Sequence, residues 1–267
     1  MKDQFHQEIS AGNRFEFGKN WQRFLASLNE DKIKAAELSL KTMLGMESLA
    51  GKTFLDIGSG SGLHSLVARK LGAEVYSFDY DPYSVECTKH LKNQYFPKDS
   101  QWIVQEGSVL DVEYLESLGR FDIVYAWGVL HHTGDMWKAI SYAISLVSEK
   151  GQLFIAIYNR HWTSFIWKAI KVIYNKSPYF IKSVLIWFFT GIIFIGAFLT
   201  TGKNPLKGER GMEFKYDIVD WLGGYPYEYA TIKEIVNFVE SKGFQIVKII
   251  PTAGWTGCNQ LVFKKSD

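Results

Sequence analysis

A chain of 267 residues is long enough for one large domain or two small ones. With 47% hydrophobic and 22% charged residues, its composition excludes a disordered protein, and a formal net charge of +2 is too small to indicate a nucleic-acid partner. Cys87 and Cys258 lie far apart and form no metal spacing, and MKDQFHQEIS does not read as a secretory leader. These features predict two unpaired thiols in a reducing, cytoplasmic setting.

The first 50 residues are predicted to form a helical extension with a polar face. Within WQRFLASLNEDKIKAAELSLKTMLG (21–45), apolar residues recur at helical spacing, and Gly45 offers a stop. We therefore assign 1–50 to an N-terminal helical extension.

From residue 52 onward, short apolar runs alternate with helical stretches. The predicted strands are 53–57, 74–79, 101–105, 121–127, 152–158, 244–250 and 259–265. The clearest predicted helices are 63–72, 136–151 with Asp135 as its N-cap, and 231–243 with Thr231 as its N-cap. This alternation favours an α/β fold with a parallel, doubly wound sheet.

A glycine-rich turn is the strongest local signal. LDIGSGSG (55–62) ends one strand and opens one helix, and glycines at alternate positions let the backbone approach a ligand closely. Its Gly-x-Gly-x-Gly spacing differs from the dinucleotide fingerprint. A second strand ends in Asp79, where a carboxylate can accept both hydroxyls of a ribose.

Four segments, in this order and spacing, carry a family resemblance: LDIGSGSG, SFDYDP, EGSVLD and FDIVYAWGVLHHTGDM. They resemble the class I S-adenosylmethionine-dependent methyltransferases. The ending GMEFKYDIVDWLGGYPYEYA with GWTGCNQLVF is similar to a bacterial subgroup, some of whose members carry names from ubiquinone biosynthesis. The resemblance implies a Rossmann-like, seven-stranded, mostly parallel sheet with helices on both faces. It would occupy 51–159 and 211–267 and bind S-adenosylmethionine, with S-adenosylhomocysteine as product.

The resemblance also implies cofactor-binding residues. The first motif is matched by Asp56, Gly58, Ser59, Gly60 and Gly62. Beyond it, Asp79 would bind the ribose and Tyr80 would lie against the adenine, whose edge Ser108 and Val109 would bracket. Trp127 would border the sulfonium, which a ring face attracts through a cation–π interaction, although a core position is the simpler alternative.

Two adjacent histidines are the catalytic candidates. His131 and His132 follow the fourth predicted strand, at the edge where α/β sheets place ligands. A histidine near neutral pKa suits a general base, which an oxygen acceptor needs. Because adjacent residues rarely face one pocket, we expect at most one to be catalytic; capping or a backbone hydrogen bond is the structural alternative. No ligand cluster predicts a metal site.

An apolar insertion at 160–210 interrupts the alternation. SVLIWFFTGIIFIGAFLTTG (183–202) has no charge and, as a helix, would be about 30 Å long, the thickness of a bilayer core. The implied sheet takes its last two strands from beyond this stretch, so a single crossing would prevent the sheet from closing. A helical lid and a membrane-interface element stay open, and the lack of a polar face over 184–199 favours membrane contact. The cations expected to face anionic headgroups are Lys168, Lys171, Lys176, Lys182, Lys203, Lys207 and Arg210.

The leading hypothesis is therefore an S-adenosylmethionine-dependent methyltransferase that methylates a small, hydrophobic or lipid-linked acceptor, most simply at oxygen. It would be cytoplasmic, with possible peripheral contact at the cytoplasmic membrane face. The alternative is a catalytically silent module that anchors a partner at the membrane, against which the intact Gly58, Gly60, Gly62 and Asp79 speak. The low charge disfavours a nucleic-acid methyltransferase, and the glycine spacing disfavours a dehydrogenase.

Overall fold

One seven-stranded sheet organises the protein. The computed structural model describes residues 2–201, 214–252 and 257–266, and the strand order is β3-β2-β1-β4-β5-β7-β6. Strands β1 to β5 run parallel, and β7 is antiparallel to both β5 and β6. The strands are β1 (Thr53–Ile57), β2 (Glu74–Asp79), β3 (Trp102–Glu106), β4 (Phe121–Trp127), β5 (Val147–Tyr158), β6 (Phe244–Ile250) and β7 (Cys258–Lys265). The predicted fold class is confirmed.

Helices cover both faces of this sheet. They are α1 (Lys2–Ser10), α2 (Phe17–Leu25), α3 (Glu30–Leu44), α4 (Leu63–Lys70), α5 (Pro82–Tyr95), α6 (Val112–Glu116), α7 (Met136–Ser145), α8 (Ser164–Lys176), α9 (Tyr179–Thr201), α10 (Phe214–Gly223) and α11 (Ile232–Glu240). Because strand side chains alternate between faces, Leu55 joins the core under α7 and α11, whereas Phe54 joins the core under α3 and α4. Cys87 and Cys258 are not joined by a disulfide bond.

The helix predicted at 136–151 is wrong beyond Ser145. Val147 is fully buried and pairs with Phe121 as the first residue of β5. Lys150 then takes a positive φ of 62°, and the register between β4 and β5 shifts before the ladder resumes at Gln152. An irregularity with three extra residues on β5 therefore joins a short leading segment to the main strand.

Helix ends follow the predicted signals in two cases of three. Gly45 ends α3 with a φ of 67°, and Thr231 begins α11 with a full capping box. Asp135 precedes α7, but its side chain makes no capping hydrogen bond. The Met136 N–H instead donates to both carboxylate oxygens of Glu228, at 3.0 and 3.2 Å. A side chain from the segment before α11 thus replaces the local cap.

The insertion forms a separate helical layer after β5. Tyr174 of α8 packs with Ile218 and Leu222 of α10, and α9 rests against this small core through residues such as Phe189. Because α10 packs on α8 and α9, this layer includes described residues beyond the predicted boundary at 210. The strands before and after it, β5 and β7, pair directly, so α9 cannot cross a bilayer once.

Helix α9 is long and apolar enough to span a membrane by length and composition. Its window Tyr179–Gly196 has a mean hydropathy of 1.8, and none of that window is fully buried. Such a window is weak evidence by itself. Contact with a membrane stays a prediction.

Candidate active site

The glycine loop turns sharply between β1 and α4. Gly58, Gly60 and Gly62 have φ values of 70°, 55° and 80°, in the left-handed region that side chains rarely adopt. A Cβ on Gly58 would lie 2.4 Å from a methyl group of Val129, in the loop after β4. Ser59 is buried and bonds to Thr88 of α5 at 2.8 Å. The loop is therefore a close-fitting backbone turn at the carboxyl end of the sheet.

Asp56 lies beneath this loop, not in an open cleft. It is 2% exposed and accepts a 2.5 Å hydrogen bond from the Ser65 hydroxyl of α4. Ser65 contacts Ser77 at 2.7 Å, and the Trp102 indole N–H donates to Ser77 at 2.9 Å. Burial raises the pKa of Asp56 to about 7, although the hydrogen bonds from Ser65 oppose the shift. The residue buttresses the turn, and its role toward a cofactor stays a prediction.

Asp79 joins the second strand to the glycine loop. Its carboxylate accepts 2.9 Å hydrogen bonds from the backbone N–H groups of Gly60 and Asp81. Burial, followed by the charge of Asp81, raises its pKa to about 7. A carboxylate has about four acceptor positions, so two remain for a ligand such as a pair of ribose hydroxyls.

The loop after β3 borders Asp79. Gly107 donates its backbone N–H to the Asp79 carbonyl at 3.0 Å, which brings the predicted adenine-edge residues next to β2. Ser108 is half-buried and accepts a hydrogen bond from the Leu110 N–H at 3.1 Å, whereas Val109 is buried in the core below. Of the two, Ser108 is the more accessible to a ligand.

Trp127 lies at the end of β4 and is 38% exposed. Its indole N–H donates to Gln260 of β7 at 3.2 Å. Since β7 lies beyond β5, the side chain points across β5 and away from the glycine loop of β1. In this direction the Trp127 ring could line the pocket for the methyl acceptor. Contact of the ring with the sulfonium of the cofactor stays a prediction.

Both candidate histidines lie in a short 3₁₀ turn after β4 and are buried. His132 Nδ1 is 2.6 Å from the Pro226 carbonyl oxygen, which can only accept, so this nitrogen carries the proton. Burial lowers the pKa of His132 to about 3, and nearby Lys171 acts in the same direction. His131 is fully buried, and in the described part of the chain neither ring nitrogen meets a partner in good hydrogen-bond geometry. Burial lowers its pKa well below the usual value, and the nearby Ala156 backbone opposes this shift. Of the two, His132 has the defined tautomer that a general base needs.

A buried lysine next to the histidines was not predicted. Lys171 of α8 is 1% exposed, and its ammonium group donates to the Trp221 carbonyl of α10. The rings of Tyr227 and Tyr158 lie 4.9 and 5.6 Å from it. The expectation that Lys171 faces headgroups is therefore wrong, because packing of α8 on α10 turns it inward. Its spacing among apolar residues of α8 was the only sequence signal.

The N-terminal helices lie over the cofactor side of the site, which sequence reasoning also missed. The Trp21 indole nitrogen is 3.0 Å from the position of a Cβ on Gly60, and the Gly18 N–H donates to Asp81 at 2.7 Å. Arg14 lies 4.7 Å from the Tyr80 ring centre and donates to the His132 carbonyl at 3.1 Å. This segment therefore connects the two halves of the site.

Contacts from α1 also fix Tyr80. Its hydroxyl group donates to Glu8 at 3.3 Å, and Phe5 contacts its ring edge-on at 5.7 Å. Burial raises the pKa of Tyr80 to about 12. Its packing against adenine stays a prediction.

The arrangement fits a nucleoside cofactor better than a metal ion. Positive-φ glycines and a carboxylate with spare acceptor positions converge at the ends of β1 and β2. In the part of the chain that the structure describes, no three His, Cys, Asp or Glu side chains are grouped to hold a metal.

Comparisons with known proteins agree with this geometry. The family model described as "methyltransferase domain" matches residues 19–218. Ubiquinone biosynthesis O-methyltransferases from Methylobacterium sp. (strain 4-46) and Rhodopseudomonas palustris (strain HaA2) are 36% and 31% identical over 123 and 121 residues. These stretches cover 46% and 45% of this chain and 47% and 45% of the relatives, so the chain spans about half their length.

Solved structures show the same fold. Magnesium protoporphyrin IX methyltransferase from Synechocystis PCC 6803, with bound SAH, superposes with a TM-score of 0.57 at 17% identity. The alignment covers 93% of this chain and 94% of that one. The family model spans three quarters of the sequence, and the sheet order and glycine loop agree with it. The chain therefore belongs to the family of class I S-adenosylmethionine-dependent methyltransferases.

Proposed function

We propose that this methyltransferase transfers the methyl group to an oxygen atom of a hydrophobic or lipid-linked acceptor at a membrane surface. The observation that carries the proposal is the two-sided character of α8. Its inner side places Lys171 beside the histidines, while Phe165 and Ile173 on its outer side are 64% and 56% exposed. One helix thus connects the reaction site to an apolar outer surface.

Methyl transfer needs few catalytic groups from the protein. S-adenosylmethionine supplies a methyl group on a good leaving group, and the protein must align the acceptor and exclude water. As the oxygen–carbon bond forms, the acceptor hydroxyl must lose its proton. His132 Nε2 carries a lone pair, because Nδ1 donates to Pro226, and a pKa of about 3 keeps it unprotonated at neutral pH. The same lowered pKa makes it a weaker base than a histidine with a near-neutral pKa. His132 is the proposed proton acceptor.

Oxygen as the acceptor atom is supported by the relatives' names. The matched curated proteins are ubiquinone biosynthesis O-methyltransferases, and the resemblance covers 46% of this chain in the first of them. A phenol or hydroxyl acceptor also accounts for a histidine at the end of β4, since nitrogen acceptors with a free lone pair need no base.

Membrane contact is supported by the outer surface of the insertion. On α9, Tyr179, Phe180, Trp187 and Ile195 are 85%, 68%, 79% and 59% exposed. Large exposed apolar patches mark interaction surfaces, and Tyr and Trp suit the interfacial region of a bilayer. We therefore propose a peripheral position on the cytoplasmic face of a membrane.

Labelled methyl transfer tests the proposal. The protein is incubated with methyl-labelled S-adenosylmethionine, kept too dilute to saturate a variant of weakened affinity, and a lipid extract, with Asp79→Asn as the control of weakened cofactor binding. We expect label in the organic phase for the natural sequence and little for the variant. Label confined to water-soluble products, or transfer to the extract at equal rates by the variant, would contradict the proposal.

A further inference from the structure

An open cavity of about 200 Å³ lies at the surface between the N-terminal helices and the insertion, outside the reaction site, and Lys19 and Arg23 at its rim are exposed. A water molecule occupies about 30 Å³ in the liquid, so the cavity accommodates a group several times larger. Four cations line it, contributed by the segment before α2, by α2 and by α9: Arg14, Lys19, Arg23 and Lys182.

Only part of this positive charge is balanced. Arg14 pairs with Glu8 at 2.6 Å, and Lys19 pairs with Glu16 at 2.8 Å. Among the described residues, no acidic partner lies within ion-pair distance of Arg23 or Lys182. The Lys182 ammonium group lies 5.6 Å from the centre of the Tyr174 ring. Two separate elements therefore bring cations without acidic partners to one cavity, and a bound anion would complement their charge.

The position of the cavity favours the phosphate of a lipid over a free phosphate ion. Lys182 lies in the first turns of α9, directly beside Tyr179, Phe180 and Ile181, which are 85%, 68% and 36% exposed. A free phosphate would use only the cations, whereas a phospholipid presents a phosphate and acyl chains at adjoining depths. We propose that this cavity binds the phosphate headgroup of an anionic membrane lipid while α9 contacts the apolar region.

The inference rests on the proposed membrane contact and deepens it, because it gives the contact a headgroup preference. Anionic lipids attract any basic surface by about 1 kcal/mol for each lysine or arginine. A defined site differs from that general attraction, since the location of a charge then matters more than its number.

The test compares two double variants with the same loss of charge. Arg23→Gln with Lys182→Gln neutralises the cavity, and Lys168→Gln with Lys176→Gln neutralises two exposed lysines of α8 outside it. Within the described ranges 2–201, 214–252 and 257–266, neither cavity side chain makes a hydrogen bond or ion pair, so we expect unchanged thermal unfolding. Binding is measured by co-flotation with phosphatidylcholine vesicles, with or without phosphatidylglycerol, in the absence of methyl donor.

We expect the natural protein to bind both vesicle types and to prefer the anionic one at least about tenfold. The cavity variant should lose most of that preference and keep its binding to neutral vesicles, whereas the α8 variant should keep most of the preference. If the two double variants lose the preference for anionic vesicles equally, the preference arises from general surface charge, and the proposed site is overturned. Inorganic phosphate binding that depends on Arg23 and Lys182, without any vesicle preference, would assign the cavity to a soluble anion and also overturn it.

Failure of the site is distinguishable from failure of the proposed function. Equal binding to both vesicle types would refute the headgroup site and leave the proposed membrane contact standing. If the protein binds neither vesicle type, both the headgroup site and the membrane contact are refuted. Because no step requires turnover, the identity of the methyl acceptor does not affect the result.

Discussion

Replacing Asp56 with asparagine is expected to reverse its effect on stability between acid and alkaline pH. The carboxyl is 2% exposed and accepts from Ser65, at the end of a chain that passes through Ser77 to the Trp102 indole. The ordinary pKa of an aspartate is 3.8, and burial raises that of Asp56 to about 7. Between these values the folded protein holds a proton that the unfolded chain has lost, so stability falls as pH rises.

The magnitude follows from that difference. Each pKa unit corresponds to about 1.4 kcal/mol, so the natural protein loses up to about 4 kcal/mol through Asp56 between about pH 4 and pH 7. Asparagine keeps an acceptor for Ser65 and never ionises, but its second N–H lacks a partner, at a cost of about 1 kcal/mol. The variant should be about 1 kcal/mol less stable near pH 4 and about 3 kcal/mol more stable near pH 8.

Urea unfolding of both proteins at the two pH values measures the effect. The cofactor is left out, and the difference between the proteins cancels the titrating groups that Asp56 does not influence. The charge of Asp56 is the smallest of the causes that raise the pKa of Asp79, so a small part of that titration stays in the difference. The reasoning is refuted if the variant is less stable by the same amount at both pH values. That result would mean that Asp56 is ionised and stabilised in the folded state.

Three further predictions concern binding, catalysis and the outer surface. Asp79→Asn should weaken S-adenosylhomocysteine binding about 10- to 150-fold in calorimetry, because hydrogen bonds to a charged group are worth about 1.5–3 kcal/mol. With a pKa of about 7, the natural Asp79 carboxylate should also bind the ribose less well as pH falls below about 7. His132→Asn should lower kcat about 100-fold, the lower end of the contribution of a general base, because a pKa of about 3 makes His132 a weak one, with cofactor affinity unchanged. Trp187→Ser, at a side chain 79% exposed, should weaken binding to neutral vesicles at least about tenfold without altering thermal unfolding.

Each of these predictions has a distinct failure. Unchanged affinity in Asp79→Asn would remove the ribose assignment. A His132→Asn enzyme with normal kcat would exclude a base at this position and favour an acceptor that needs no deprotonation. Vesicle binding unaffected by Trp187→Ser would place the membrane contact elsewhere.

The sheet could be predicted because its signals are local. Each strand is a short apolar run bounded by turn residues, and the alternation with helices determines the parallel order. Thr231 begins its helix and Gly45 ends its helix as predicted, because a cap depends on neighbouring residues. Where a distant group competed, prediction failed: Glu228 replaced Asp135 as the cap of α7, and pairing with Phe121 drew Val147 into β5.

The covering of the site could not be predicted, since it depends on contacts between distant segments. Helical spacing in 21–45 indicates that one helix face is buried, but it does not indicate which segment of the protein packs against that face. The contacts of Gly18 with Asp81 and of Trp21 with Gly60 span 63 and 39 residues. Likewise, the sequence around Lys171 predicts an exposed cation. The residue is buried because α10, which contains its partner Trp221 50 residues later, packs over it.

Identification of the methylated product tests the central claim most directly. The protein is supplied with isotope-labelled S-adenosylmethionine and vesicles made from a lipid extract, and the labelled product is isolated for mass spectrometry and methyl NMR. The account predicts a lipid-soluble product whose new methyl group is bonded to oxygen, formed by the natural protein and lost in Asp79→Asn. A water-soluble product, or a methyl group bonded to nitrogen or carbon, would contradict it.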